Sequence, residues 1–282
     1  MRRAIISDEI SQDLGVAAAV ASELGFEGLE IRSIHGVAPH LLNNAQLRDI
    51  RCVLDDHSLA VAGFCPPCLK HLPPSDAAER AASRRVVERA LAQADVLGAG
   101  HCRIFSFYRD CDADPISAAR VARQILGGLD LPAGVSLLLE TGTRSNTPTL
   151  RLARQFLEEL GDDRIGLLWD PGNTVFSGYD PAPFPDDFTA AASLIRHVHV
   201  KDPDGQHGYV RLGDGDLPWP AILAALADRG FTGWVSLETH WRLDRTLTGL
   251  ERDEPWGAGI SAGGLEASRI CMQVLNEWWR RD

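Results

Sequence analysis

The chain has 282 residues, 45% hydrophobic and 24% charged, with a formal net charge of −11. That length suits one large domain or two small ones, and the composition is ordinary for a soluble globular enzyme. The acidic balance argues against a nucleic-acid partner, since that affinity depends on neutralising phosphates with Lys and Arg. Six cysteines lack the density of a disulfide scaffold, and they suggest reduced thiols and a cytoplasmic protein. No apolar run has signal-peptide or membrane-spanning length, so no membrane partner is expected.

Residues 4–7 read as a short buried strand with Asp8 and Glu9 at its exit, and a helix follows over 14–24 up to Gly25. Residues 28–32 form strand two, with Glu30 and Arg32 on one face. A loop and a helix over 45–57 precede strand three, 59–64, halted by Pro66 and Pro67. A long Ala- and Arg-rich helix over 76–97 ends at Gly98, and strand four covers 101–107. The helix over 115–129 opens on a proline, which suits a first turn. Strand five is 135–140, followed by a polar loop and a helix to Leu160. Strand six is 165–170, after which Pro171, Gly172 and Asn173 turn the chain. A short helix near 187–194 leads to strand seven, 195–202. The helix over 217–229 and strand eight, 233–238, come next. A loop rich in Gly and Trp then joins a final helix over 265–279.

Strands alternating with helices imply parallel pairing. Eight such units in this length predict an α/β fold, a (β/α)8 TIM barrel, as a single domain over 1–282. An open doubly wound sheet is the alternative. It would want a Gly-x-Gly-x-x-Gly after the first strand, which is missing.

Strand seven carries the densest chemistry: its alternation sends His197, His199 and Lys201 to one face. Strands five, six and eight each end on an acid, Glu140, Asp170 and Glu238. In such barrels the site lies at the carboxyl ends of the strands. Glu140, Asp170, His199 and Glu238 should therefore converge as a site for one divalent metal ion. Hard oxygen ligands favour Mn²⁺ or Mg²⁺, and the histidine also admits Co²⁺ or Zn²⁺. Counting back by twos puts Leu138, Ser136, Leu168, Gly166, His197, Ile195, Ser236 and Trp234 inward. The same count turns Leu137, Leu139, Leu167, Val198, Val200 and Leu237 toward the helices.

The order LLLET, LLWDPGN, HVHVKD and VSLET, with SDEIS at strand one, LEIR at strand two and LGDGDLPW after strand seven, resembles the xylose-isomerase-like TIM barrels. This is a superfamily of sugar isomerases and epimerases, and the resemblance runs the whole chain. It implies that Glu140, Asp170, His199 and Glu238 are metal ligands, with Glu140 and Glu238 also acting as acid and base on opposite faces of a sugar. The chain departs from the ketose 3-epimerases at two points. Asn173 stands where they carry a histidine, and Asn146 where they carry a glutamate. Both changes bear on contacts to substrate hydroxyls and leave the metal shell intact.

The expected function is thus a divalent-metal-dependent sugar or polyol isomerase or epimerase. A bound ion would acidify a C–H beside a carbonyl, and carboxylates would move the proton through an enediolate. A lyase of inosose-dehydratase type would use the same site and is the alternative. An endonuclease-IV-like repair enzyme would need three metals and the histidine that Asn173 replaces. A catalytically silent sugar-binding protein would need no ligand set at all. A homodimer is a family expectation.

Substrate-contact candidates are Glu30, Arg32, Arg103, Asn173, Lys201 and Arg211. Glu30, Arg32 and Arg103 could equally form buried ion pairs, and Arg211 could be a surface cation. His197, one step deeper than His199, suits a hydrogen-bonded support. Cys65 and Cys68 have redox-motif spacing, though they leave a barrel strand rather than opening a thioredoxin-like helix. Lys70 beyond them either reaches an anionic substrate or is a solvated surface lysine. Residues 257–264 either cradle a phosphate or form a flexible lid.

Overall fold

Eight parallel strands close into a barrel in the computed structural model, which describes residues 1–279. They are β1 (Arg2–Ile6), β2 (Gly28–Ile31), β3 (Ala60–Cys68), β4 (His101–Ile104), β5 (Ser136–Glu140), β6 (Ile165–Trp169), β7 (Ile195–Val200) and β10 (Trp234–Leu237). Two short strands, β8 (Asp202–Asp204) and β9 (Gly208–Val210), form a separate antiparallel hairpin. Each barrel strand neighbours the next in sequence, and β1 pairs with β10 to close the ring. The TIM-barrel expectation is met.

The helices start and stop where local chemistry directs. Asp76 caps Ala77–Leu97 by accepting from Glu79 N at 2.9 Å. That helix ends at Gly98, whose φ of 68° suits a residue without a Cβ. Asn43 and Gln46 form a capping box at the start of Asn44–Asp56. The main apolar core fills the layer between strands and helices. It takes Leu137, Leu139, Leu167, Val198, Val200 and Leu237, as alternation predicts.

Four expectations are corrected. Strand three does not stop at its prolines but continues to Cys68, because its pairing with β4 slips between Phe64 and Cys68 and leaves Pro66 and Pro67 outside the ladder. Strand four ends at Ile104, since the N–H groups of Phe105 and Phe107 turn to the carbonyls of Cys68 and Leu69. Ile195 packs in the outer core rather than inward, because the β6–β7 register slips by one residue between Leu167 and Leu168. Pro171, Gly172 and Asn173 open a short helix, Pro171–Phe176, rather than a simple turn.

The loop after β10 contains two short helices, Gly249–Asp253 and Ala258–Ser261, before the last helix Gly264–Trp279. This loop and the β8–β9 hairpin supply walls to the cavity at the carboxyl ends of the strands. No helix among the described residues is long and apolar enough to cross a membrane.

Candidate metal centre

Glu140, Asp170, His199 and Glu238 converge, with one ligand atom from each lying within 4.8 Å of all the others. Glu140 is the last residue of β5, Asp170 follows β6, His199 is the penultimate residue of β7, and Glu238 follows β10. The side chains of Asp170 and His199 are fully buried. From His199 Nδ1, Glu140 Oε1 lies at 3.7 Å, Asp170 Oδ2 at 3.6 Å and Glu238 Oε2 at 3.5 Å. These separations are long for hydrogen bonds and suit ligands that share one ion.

The residues fit a cation on two further grounds. His199 Nδ1 is buried without a hydrogen-bond partner, a costly state for a nitrogen aimed at three carboxylates. Burial opposes charge on this imidazole, yet Glu30 and the surrounding carboxylates hold its pKa well above the ordinary value. A site that draws a proton onto a buried ring is a site for positive charge, and a metal would take that proton's place.

Among the described residues two other donor groups lie nearby, Glu30 with His101 and His197, and Glu9 with Glu238 and His240. The first supports the centre from beneath. His199 Nε2 lies 3.1 Å from Glu30 Oε2 and His197 Nε2 lies 3.2 Å from the same atom. Cys65 donates its thiol to Glu30 Oε1 at 2.6 Å. Gly63 is required here, since a Cβ would collide with the His101 ring. In the second group, His240 Nδ1 lies 2.8 Å from Glu9 Oε1, and Arg242 also meets that carboxylate.

Cations hold the two glutamates. Arg103 Nη1 donates to Glu140 Oε2 at 2.9 Å, and Asn173 Nδ2 to its Oε1 at 3.1 Å. Burial would raise the Glu140 pKa, but Arg103 and His199 overcome it and lower it to about 2. Arg32 and Lys201 both contact Glu238. Burial works against ionisation there too, and Lys201 and His240 prevail, holding the carboxyl well below its usual range. Lys201 Nζ also lies 2.7 Å from Asp170 Oδ2.

The adjoining cavity encloses about 190 Å³, small beside the roughly 300–1,000 Å³ of drug-sized sites and suited to a sugar-sized ligand. Glu140 and Glu238 line it, and Asp170 and His199 do not. Phe105, Phe107, Phe176 and Tyr209 give it apolar surface.

Among the expected substrate contacts, Arg32, Arg103, Asn173 and Lys201 line the cavity. Glu30 does not, because its buried carboxylate is occupied by the imidazoles above it. Arg211 is exposed on the hairpin side, 3.4 Å from Asp214, and does not reach the cavity. Among the described residues, none of 257–264 lines it either. Asn146 turns away, donating to Ser106 O at 2.9 Å. The Cys65 thiol is pushed well up by burial and by Glu30, which keeps it protonated and unsuited to redox exchange.

Sequence reasoning missed Tyr209 and Arg252. Tyr209 donates to Asn173 Oδ1 at 3.3 Å, and so sits behind the residue that holds Glu140. The Asp204-Gly205 pair was a hairpin signal that would have brought Tyr209 over the barrel mouth. Arg252 lies on a short helix within a long loop, and no pattern in the chain pointed to it.

Comparison with known proteins agrees with this architecture. D-psicose 3-epimerase of Agrobacterium fabrum is 28% identical over 272 residues, covering 90% of this chain and 89% of that protein. Inosose dehydratase of Lacticaseibacillus casei is 28% identical over 96 residues, 28% of this chain and 31% of that one. The crystal structure of the IOLI protein with a zinc atom superposes with a TM-score of 0.75 at 16% identity, covering 99% of this chain and 98% of its own. The family described as Xylose isomerase-like TIM barrel matches residues 18–262, and the chain belongs to it.

Proposed function

We propose that this protein is a divalent-metal-dependent isomerase of the epimerase type, acting on a small ketose or a related polyol. One observation carries the reading: of the four converging donors, only Glu140 and Glu238 also line the cavity. Asp170 and His199 are buried behind them and suit ion binding alone. The two glutamates suit both ion binding and contact with the reacting carbon.

A divalent ion held by Glu140, Asp170, His199 and Glu238 would polarise a substrate carbonyl and acidify the adjacent C–H. The protein's own groups do the rest. Arg103 keeps Glu140 ionised and Lys201 keeps Glu238 ionised, while Asn173 and Arg32 hold the two carboxylates in place. An ionised carboxylate is what the first proton transfer requires. β5 and β10 are separated by β6 and β7 around the barrel, so the glutamates approach a central ligand from different sides. One would remove a proton from one face and pass it to solvent, and the other, having taken up a proton from solvent, would return it to the opposite face. The apolar wall of Phe105, Phe107, Phe176 and Tyr209 suits the C–H face of a sugar.

The relatives support the substrate class, since D-psicose 3-epimerase is named for a ketose. Carboxylate ligands favour Mn²⁺ or Mg²⁺, and the zinc of the IOLI protein keeps Zn²⁺ among the candidates. The partial match to an inosose dehydratase makes loss of water the second outcome to test.

The test is the metal content of the purified protein, with turnover and product analysis on ketoses, aldoses and inososes. The proposal expects about one ion per chain and an epimerised ketose. Loss of water would replace epimerisation by dehydration. A protein with neither metal nor turnover would overturn the reading.

A further inference from the structure

Six cations line the cavity, and carboxylates answer four of them. Arg32 meets Asp8, Glu9 and Glu238; Arg103 meets Glu140; Arg144 meets Asp253; Lys201 meets Asp170 and Glu238. Lys70 and Arg252 have no carboxylate within ion-pair distance among the described residues. Lys70 Nζ donates to the main-chain carbonyl of Asp253 at 2.6 Å, and Arg252 donates to that of Leu247. Their other neighbours are aromatic. Lys70 Nζ lies 5.5 Å from the Phe105 ring centre and 5.9 Å from that of Trp256, and the Arg252 guanidinium lies 5.1 Å from that of Phe176.

Both cations are half-buried. Desolvating a cation without an ion-paired partner is costly, and the cost shows at Lys70, where burial and then Arg103 bring the pKa down to about 8 against the opposing pull of the Glu140 and Asp253 carboxylates. The short helix Gly249–Asp253 supplies both Arg252 and the carbonyl that holds Lys70. A chain of net charge −11 thus presents two unanswered positive groups in the same small cavity as Glu140 and Glu238. A neutral sugar would leave them unanswered. An anionic substituent would complete them with charge-assisted hydrogen bonds.

We propose that the substrate carries an anionic group, a carboxylate or a phosphate, which docks against Lys70 and Arg252 while its carbonyl end meets Glu140 and Glu238. The proposal rests on the proton-transfer reading of the site and narrows its substrate class to sugar acids or sugar phosphates.

The test has two arms. In the first, chelator-treated protein is titrated calorimetrically with inorganic phosphate and with glycolate. The wild type should bind at least one of them. Lys70→Met and Arg252→Gln should each weaken that binding about tenfold or more. Arg211→Gln, an exposed cation outside the cavity, should bind like the wild type. Absence of binding, or equal binding in both cavity variants, overturns the proposal.

In the second arm, metal-loaded protein is incubated in D₂O with D-fructose, D-fructose 6-phosphate and D-fructuronate, and carbon-bound deuterium is followed. At least one anionic sugar should exceed the neutral one in kcat/KM by about tenfold, and that ratio should collapse in both cavity variants. The better anion distinguishes phosphate from carboxylate. A neutral sugar preferred by the wild type, or a ratio unchanged in the variants, overturns the proposal and leaves the proton-transfer reading standing. Anion binding in the first arm without exchange on any sugar does the reverse: it supports the anion site and counts against proton transfer.

Discussion

His199 presents its two ring nitrogens to different charges: Nε2 lies 3.1 Å from Glu30 Oε2, and Nδ1 faces Asp170 Oδ2 at 3.6 Å. The lower carboxylate fixes the ring, so that the upper nitrogen is free to bind an ion. Glu30→Gln keeps the size and one acceptor oxygen but removes the charge. Metal affinity, measured by chelator competition, should fall by about 10- to 100-fold. Unchanged affinity would show that Glu30 does not support the centre.

His199→Ala and Asp170→Asn should release metal while leaving the barrel folded. The stability of the fold rests chiefly on the apolar layer between strands and helices, which neither change touches. Metal content by elemental analysis, with far-UV circular dichroism, checks both halves. Full metal occupancy in both variants would remove these residues from the ligand set.

Asn173 links Tyr209 to Glu140, accepting at 3.3 Å from one and donating at 3.1 Å to the other. Asn173→Ala should lower kcat by about 10- to 100-fold through a misplaced carboxylate, with bound metal retained. Tyr209→Phe should act in the same direction and more weakly. An effect confined to KM would assign Asn173 to substrate binding instead.

The buried His101 gives an acid-stability signature. Desolvation, then the neighbouring His197, lowers its pKa from 6.5 to about 3. Between those values the unfolded chain binds the proton and the folded chain does not, so stability falls as pH drops from 6.5 toward 3. The stability advantage of the wild type over His101→Gln should therefore shrink across that window. Denaturant unfolding of metal-free protein at successive pH values measures it, and a constant difference would show that His101 does not titrate this way.

Much of the barrel was legible because its signals are local. Apolar alternation placed Leu137, Leu139, Val198 and Val200 toward the helices, and strand-terminal acids marked the centre. The failures are tertiary. Nothing local to Gly28–Ile31 reveals that His197 and His199, more than 160 residues away, would occupy the Glu30 carboxylate. The slip at Arg196 was hidden because alternation assumes unbroken pairing, and a one-residue bulge reverses every earlier position. Arg211 was left open between the cavity and the surface, since a loop's direction depends on the hairpin it joins. Arg252 owes its place to the packing of a five-residue helix, for which periodicity carries no information.

The central claim, that Glu140 and Glu238 exchange a substrate proton with solvent, is tested most directly by deuterium incorporation. Metal-loaded wild type, Glu140→Gln and Glu238→Gln are each incubated in D₂O with a sugar the wild type turns over, and the product is read by NMR. The account predicts solvent deuterium at the reacting carbon with the wild type. Both variants, with metal still bound, should be slower by at least about 100-fold. Full activity in either variant, or transfer of the original hydrogen between neighbouring carbons without deuterium uptake, would contradict it.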